Sequence, residues 1–398
     1  VSGDGFFCNT TGGAFTCNLP AGSAGSIVSL ADYAGTWQTN NLTVTPNGSD
    51  KMGGINADLV LDTEGQSITL VYVDGTQGWL NVQDSTSNER ANPFVVATGG
   101  TITTSGNYKI HKFTGPGTFT VCKASTTAAN NIVSYLVVAG GGGAGGNRAH
   151  IQGGGGGGAG GFREYKGPTD CYTASPLNGN PCGTAVTVTA TSYPITVGGG
   201  GDGGKAANSP TIPGSPGAAG TSGSSSIFST ITSAGGGRGA QPNTNPPAPA
   251  GGSGAGETGG SGGGQGGANS GSGLAGNTPP VTPPQGNNGG TADTTNYTLG
   301  GGGGGATAVG TNASAPCSGG GVGGAGATTN IIASPVTYAA GGNSARPAPC
   351  GAAGNSAVNT GNGGPANNYF PGPTARTPAN YDGYNGGSGI VIIRYKYQ

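Results

Sequence analysis

The stretch S-Y-L-V-V-A-G-G-G-G-A-G-G, Ser134 to Gly146, starts as a strand suited to a dry interior and runs on into residues with no side chain to fill one. The chain closes in the reverse order, N-G-G-S-G-I-V-I-I-R-Y-K-Y-Q from Asn385 to Gln398, glycine first and strand second. Gly/Ser-rich composition usually marks a flexible linker. Against that, apolar pieces alternate with the glycine runs: V-T-V-T-A-T-S-Y-P-I-T-V (186–197), S-I-F-S-T-I (226–231) and I-I-A-S-P-V-T-Y (331–338). The sequence therefore predicts an ordered domain over 134–398, with 135–139 and 390–395 pairing to bring its two ends together. Between them, the runs at 140–143, 153–158, 198–201 and 300–305 are expected to be extended helices of three residues per turn. Packed side by side, such helices bond backbone to backbone where other proteins use a side-chain core, and only glycine fits where the chains touch. Ordering glycine is entropically expensive, so the array needs the terminal strands as anchors.

Upstream, the period changes to two. Leu42 and Val44 alternate with Thr43 and Thr45, Leu59 and Leu61 flank Val60, and Ile68, Leu70 and Tyr72 continue the pattern. Asn47-Gly48, Gly53-Gly54, Glu64-Gly65 and Asp74-Gly75 punctuate these strands as tight turns. Residues 1–88 thus read as a β-rich module, sandwich- or prism-like, whose apolar run at Leu70–Val73 exceeds what one copy can cover and points to a homotrimer. Residues 89–133 read as a small connector carrying a hairpin around Gly115-Pro116-Gly117, with Phe113, Phe119 and Val121 on one side. The fold class expected is all-β.

Composition narrows the function. The 398 residues include 91 glycines and 27 prolines, and only 7% are charged against a usual figure of about 25%. With a net charge of −1 there is no basic footprint for nucleic acid. No apolar run approaches the ~20 residues that a membrane helix needs, and no secretory signal is visible at Val1. A surface made soluble by Asn, Thr, Ser and Gln suits neutral hydrogen-bonded recognition, as of sugars. It suits equally a protein that packs beside copies of itself.

Seven cysteines allow three candidate disulfides, Cys8–Cys17, Cys171–Cys182 and Cys317–Cys350, or a set of reduced thiols. Cys122 is left over and reads as a half-buried strand residue. No C-x-x-C spacing is present, so neither zinc nor another metal is expected, and no cofactor either. His111 and His150 are the only histidines, and His111, between Lys109 and Lys112, reads as a surface strand residue. Gly199–Lys205 satisfies G-x-x-x-x-G-K, but Ala206 follows and no helix-forming segment comes after it, so the match is compositional. A glycosidase would require two of Asp32, Asp50, Asp58, Asp62, Glu64 and Asp74 to converge, although most lie at turns. No enzyme activity is expected.

Binding chemistry concentrates in three loops, 241–250, 278–288 and 365–384. The last holds Tyr369, Phe370, Arg376, Tyr381 and Tyr384, residue types that dominate recognition hot spots, with Asn367 and Asn368 as hydrogen bonders. Those aromatics either contact a receptor or cap the ends of the glycine layers.

Two resemblances sharpen this reading. G-D-G-F-F-C-N-T-T, A-D-Y-A-G-T-W-Q-T-N-N-L-T-V-T-P-N-G-S and L-V-Y-V-D-G-T-Q-G-W-L resemble a β-rich module of bacteriophage tail fibres, including those of cyanophages and other marine phages, with Cys8 and Cys17 as departures. Y-L-V-V-A-G-G-G-G-A-G-G, G-G-G-G-A-G-G-F-R-E, Y-P-I-T-V-G-G-G-G and G-G-S-G-I-V-I-I-R-Y resemble the glycine-rich adhesin domains of phage tails. In the T-even-like adhesins, polyglycine-II helices form a layered sandwich whose tip loops bind the host. The resemblance implies an extracellular, virion-borne homotrimer. It would bind a host glycan or outer-membrane protein at its tip and other tail proteins at its N-terminal end, with no nucleic acid and no membrane insertion. The alternatives are an extracellular structural filament or surface-layer protein and, more remotely, a polysaccharide depolymerase.

Overall fold

The structure is a computed structural model that describes residues 3–85, 94–147, 152–181, 184–206, 217–242, 259–267, 273–293, 299–314, 319–345, 355–367 and 381–398. It is all-β and divides into two compact units, Val1–Ala91 and Asn92–Gln398.

The first unit contains β1 (Asp4–Cys8), β2 (Phe15–Asn18), β3 (Ile27–Asp32), β4 (Leu42–Thr45), β5 (Leu59–Leu61), β6 (Ser67–Tyr72) and β7 (Trp79–Ser85). Two sheets, ordered β1-β3-β6-β7 and β2-β4-β5, enclose a core that includes Val28, Leu30, Trp37, Leu42, Val44, Leu70 and Trp79. The period of two works as expected: in β6, Ile68, Leu70 and Tyr72 are buried while Ser67, Thr69 and Val71 are half-exposed. Gly48 and Gly65 take φ of +53° and +72°, left-handed values that the Asn-Gly and Glu-Gly turns require. β1 and β2 do not pair with each other. β1 pairs parallel with β3, and β2 parallel with β4, so the two strands lie in different sheets. Cys8 and Cys17 reach one core from these sheets, and both are free thiols, the second of the two alternatives the sequence leaves open. Burial, then the neighbouring Cys17 and Asp32, pushes the Cys8 thiol up to about 11.

In the second unit, the central sheet runs β13 (Phe162–Tyr165), β12 (Ile132–Val138), β20 (Ile390–Lys396), β10 (Tyr108–Phe113), β9 (Thr101–Ser105), with β14 (Val186–Thr187) paired to the start of β12. A second sheet runs β17 (Ile231–Ser233), β16 (Ser226–Phe228), β15 (Ser192–Thr196), β11 (Gly117–Lys123), β8 (Val96–Thr98). A hairpin, β18 (Ala327–Thr329) with β19 (Val336–Tyr338), covers the far side of the central sheet.

The two terminal strands pair as expected, antiparallel, with Tyr135 opposite Ile393 and Val137 opposite Val391. Their unbroken apolar sequence reflects burial on both faces. Tyr135, Val137, Val391, Ile393 and Tyr395 meet Phe119 and Phe228 of the second sheet, while Leu136, Val138, Ile390 and Ile392 meet Phe162, Ile331 and Tyr338. Gly115-Pro116-Gly117 does not close a hairpin, because β10 enters the central sheet and β11 the second one. The segment expected as a connector is therefore built into both sheets of the second unit. Cys122 on β11 is exposed rather than half-buried. His111 is fully buried, contrary to its expected surface place, because β10 is covered on both sides.

Beyond the sheets the glycine runs form an ordered array. Along 140–147 the backbone N–H groups are shared in turn among three other runs. Gly140, Gly143 and Gly146 donate to Ser224, Thr221 and Ala218 (3.0, 2.9 and 2.9 Å). Gly141, Ala144 and Asn147 donate to Gly387, Tyr384 and Tyr381 (2.9, 3.1 and 3.0 Å), and Gly142 and Gly145 to Gly158 and Gly155 (2.8 and 3.0 Å). The carbonyls of Gly140, Gly141 and Gly142 accept from Gly236, Gly201 and Gly364 of three further runs. The bonds thus repeat every third residue and point in all directions around the run. A Cβ on Gly140, Gly141, Gly142 or Gly143 would come within 1.9–2.3 Å of a neighbouring carbonyl oxygen, which is why these positions carry glycine. Alanine enters the runs where a methyl has somewhere to go: Ala159 packs with Phe162 and Leu136, and Ala144 with Leu299 and Tyr381.

Candidate functional site

The array runs out from the sheets and back. β12 leads out through 139–147 and the chain returns through 153–161 into β13; β15 leads out through 198–206, and the chain returns through 217–224 into β16. The last return, 381–389, enters β20. The outer ends of several runs are tied together at the side away from the sheets. Asn147, fully buried, donates through Nδ2 to the Asn367 carbonyl (2.7 Å) and accepts from the Gly154 N–H at Oδ1 (2.9 Å). Asp382 accepts from the Ala206 N–H (2.7 Å) and pairs with Lys205 Nζ at 3.0 Å, an exposed contact that contributes little. Under this surface Tyr381 packs against Ala144, Ala206, Leu299, Ala345 and Ala366.

The expected receptor residues divide accordingly. Tyr381 is buried and caps the glycine layers, so it is not an exposed contact residue. Tyr384 and Asn367 are half-buried in the array, where the Tyr384 carbonyl accepts from the Ala144 N–H. Asn368, Tyr369, Phe370 and Arg376 lie outside the described residues, as do His150 and, of the cysteines, Cys182, Cys317 and Cys350. Cys171 is an exposed free thiol. The 278–288 loop is not at the outer end: Gln285 accepts at its carbonyl from the Phe162 N–H and at Oε1 from the Ala234 N–H, which holds the loop beside β13 and β17.

The densest polar chemistry lies instead inside the second unit, and the sequence reading missed it. Ser134 and Arg394 sit opposite each other where the apolar runs of β12 and β20 are interrupted. Arg394 Nε donates to both oxygens of Asp170 (3.0 and 3.1 Å), Nη1 donates to the Ile331 carbonyl (3.2 Å), and the guanidinium lies over the Tyr108 ring at 4.5 Å. Ser134 Oγ donates to Asp170 (2.8 Å) and accepts from the Gly167 N–H (2.9 Å). On the next strand, Glu164 accepts from the Tyr172 hydroxyl (3.0 Å), Thr329 Oγ1 (2.5 Å) and the Ser175 N–H (2.9 Å). Burial, followed by the Glu164 charge, raises the Tyr172 phenol far above its ordinary value, so it stays a donor. Both members of the Arg394–Asp170 pair are at least nine-tenths buried and their acceptors are filled, which makes the cluster a clamp on the fold rather than a reaction centre. The one signal for it in the sequence is a lone arginine inside I-V-I-I-R-Y.

Three of the six carboxylates considered for a glycosidase, Asp32, Asp50 and Asp74, are engaged as acceptors of backbone N–H groups. Asp32, buried, accepts from the N–H groups of Gly35, Thr36, Trp37 and Gly65. Burial raises its carboxyl, and these four donors outweigh that and hold it below the usual carboxylate range. Asp50 accepts from the Gly22 N–H, and Asp74 from those of Thr76 and Gln77. Among the described residues, no group of three or more His, Cys, Asp and Glu stands close enough to hold a metal ion.

The array, with its anchoring strands, coincides with a known family. A glycine-rich domain family matches residues 113–396. The chain belongs to that family. Its matched span begins at the end of β10 and closes within β20, so the two strands that pair at the base of the array both fall inside it. Among curated proteins, none matches the chain.

Proposed function

We propose that the chain is a non-catalytic adhesin subunit of a bacteriophage tail fibre, extracellular and virion-borne. In this reading the first unit is a trimerising fibre module and the glycine-rich unit is the receptor-binding tip. The observation that carries the proposal is the array itself. Its hydrogen bonds repeat every third residue, and the outer ends of several runs gather on the side away from the sheets. That repeat supports a polyglycine-II lattice. A scaffold held by backbone bonds leaves the sequence of its turns free to change without loss of packing, which suits recognition of varied host surfaces. Low charge favours a neutral ligand such as a host glycan or an outer-membrane protein loop.

The trimer is supported by the edges of the first unit. Phe6 and Phe7 on β1 and Phe15 on β2 are exposed on edge strands, Phe7 to 78%, and open apolar edges of this kind are normally covered. The same edges also favour a structural filament or surface-layer protein, in which copies meet end to end. Imaging separates the two. Antibody raised against the purified chain should label the free ends of phage tail fibres and block adsorption to host cells; regular labelling along a filament or cell surface would replace the adhesin reading with the structural one.

A further inference from the structure

Five Asn-Gly dipeptides fall among the described residues, at 47–48, 178–179, 288–289, 362–363 and 385–386. In four of them the side-chain amide and the N–H that follows it are both engaged. Asn178 Oδ1 accepts from the Lys166 N–H (2.9 Å), Asn288 Oδ1 from that of Gly276 (2.9 Å), Asn362 Oδ1 from that of Ala340 (2.9 Å) and Asn385 Oδ1 from that of Gly203 (2.8 Å). The glycines that follow donate their own N–H groups to backbone carbonyls: Gly179 to Glu164 (2.9 Å), Gly289 to Leu274 (3.0 Å), Gly363 to Ala340 (2.8 Å) and Gly386 to Gly201 (2.9 Å).

Asn47-Gly48 differs. It lies in the turn that follows β4, closed by the Asp50 N–H donating to the Asn47 carbonyl (2.9 Å), and Asn47, Gly48 and Ser49 are all exposed. Among the described residues, neither the Asn47 side-chain amide nor the Gly48 N–H has a hydrogen-bond partner. Gly48 takes φ of +53°, and a Cβ there would meet nothing within 4 Å, so the space around the pair is open.

We propose that Asn47 is a self-modification site that deamidates to aspartate and isoaspartate. The Gly48 amide nitrogen gives up its proton to hydroxide or a buffer base and attacks the Asn47 Cγ. The bond from Cγ to the side-chain nitrogen breaks, ammonia leaves, and a succinimide ring closes. Water then opens the ring at either carbonyl, giving aspartate or, with the chain rerouted through the side chain, isoaspartate; water is consumed, ammonia is released and nothing is oxidised. The step needs an N–H free to lose its proton, which a hydrogen-bonded amide resists as it resists hydrogen exchange. It also needs a carboxamide free to swing over that nitrogen, and glycine, without a Cβ, leaves the approach unhindered. At the other four sites the fold withdraws both groups. At Asn47 the new carboxylate stands three residues before Asp50, whose own carboxylate accepts from the Gly22 N–H (2.8 Å) and the Tyr72 hydroxyl (3.4 Å). Isoaspartate also lengthens the backbone of a turn whose Gly48 carbonyl accepts from Asn56 Nδ2 (3.3 Å). The modification thus ages the first unit and spares the glycine array, and it stands or falls apart from the adhesin reading.

The test uses the full chain, kept at mildly alkaline pH and body temperature and mapped at intervals by proteolysis and mass spectrometry. Asn47 should convert at least ~10-fold faster than Asn178, Asn288, Asn362 or Asn385, since each of those must first break the bonds that hold its amide and the next N–H. In urea at the same pH all five should convert at similar rates, because the protection is tertiary. Asn47→Gln should remove the fast conversion and leave the other four unchanged. Equal rates at the five sites in the folded chain overturn the proposal, as does conversion that appears first at one of the four engaged sites. So does a lead for Asn47 that persists in urea, because local sequence rather than the fold would then set the rate.

Discussion

Replacing Gly303 by alanine adds one methyl group to the centre of the array. Its Cβ would lie 2.0 Å from the Gly157 carbonyl oxygen and 2.5 Å from that carbonyl carbon, whereas real Cβ contacts essentially never fall under 3.0 Å. The two runs must therefore part by ~1 Å, more than a well-packed contact tolerates. Gly157 has little freedom to yield, since its N–H donates to Gly364 and its carbonyl accepts from Gly342, both at 2.9 Å. Overpacking costs ~1–3 kcal/mol and each buried backbone group left unbonded another ~1–3 kcal/mol. Alanine recovers only ~0.4–1 kcal/mol by restricting the unfolded chain. The net expectation is a loss of ~1–5 kcal/mol from the second unit, more with Gly303→Leu. Gly199→Ala is the control, because a Cβ there meets nothing within 4 Å, and it should be neutral or stabilising by ~0.4–1 kcal/mol. Urea unfolding followed by tyrosine fluorescence and limited proteolysis would measure both variants. Equal stability of Gly303→Ala and Gly199→Ala would refute the close-packed array and restore the linker reading.

Four further outcomes are expected. Burial holds the His111 imidazole below its ordinary pKa, with Lys109 adding to this and the bond to Gly99 opposing it. The stability owed to neutral His111 is therefore complete above the unfolded value of ~6.5 and is lost as pH falls below it, by at most ~1.4 kcal/mol per pH unit; His111→Gln should flatten that slope in unfolding measured from pH 8 to 5. Asp32→Ala should destabilise the first unit by ~2–3 kcal/mol by leaving four turn N–H groups without their acceptor; in the parental chain this contribution is present above pH ~3.9 and lost as pH falls through the lower folded value. Arg394→Met, which leaves Asp170 buried without its cation, should cost ~3–5 kcal/mol, and the double variant with Asp170→Leu should recover most of it in the same assay. Sedimentation of the full chain should show a trimer that Phe7→Ser with Phe15→Ser weakens, and a stable monomer at micromolar concentration would refute the edge-strand argument.

The sequence by itself determined the strands, the array and the join between them. Period two at Leu42–Thr45 and Ser67–Tyr72 is a local property of extended chain with one buried face. The pairing of 135–139 with 390–395 was legible because an apolar run with no polar alternation must be buried on both faces, and only a partner of the same kind fits beside it. Glycine in unbroken runs is likewise readable, since a repeated absence of Cβ is what close backbone contact demands. What the sequence left open depended on which strands become neighbours. Gly115-Pro116-Gly117 has the residues of a hairpin turn, yet its flanking strands enter different sheets, and that placement buries His111 against Tyr395 from the far end of the chain. The Arg394–Asp170–Ser134 clamp joins side chains more than two hundred residues apart, so no local pattern could announce it. Tyr381 looks like a loop aromatic beside Asn380 and Asp382, and only the array, by closing a pocket of alanines around it, makes it a cap.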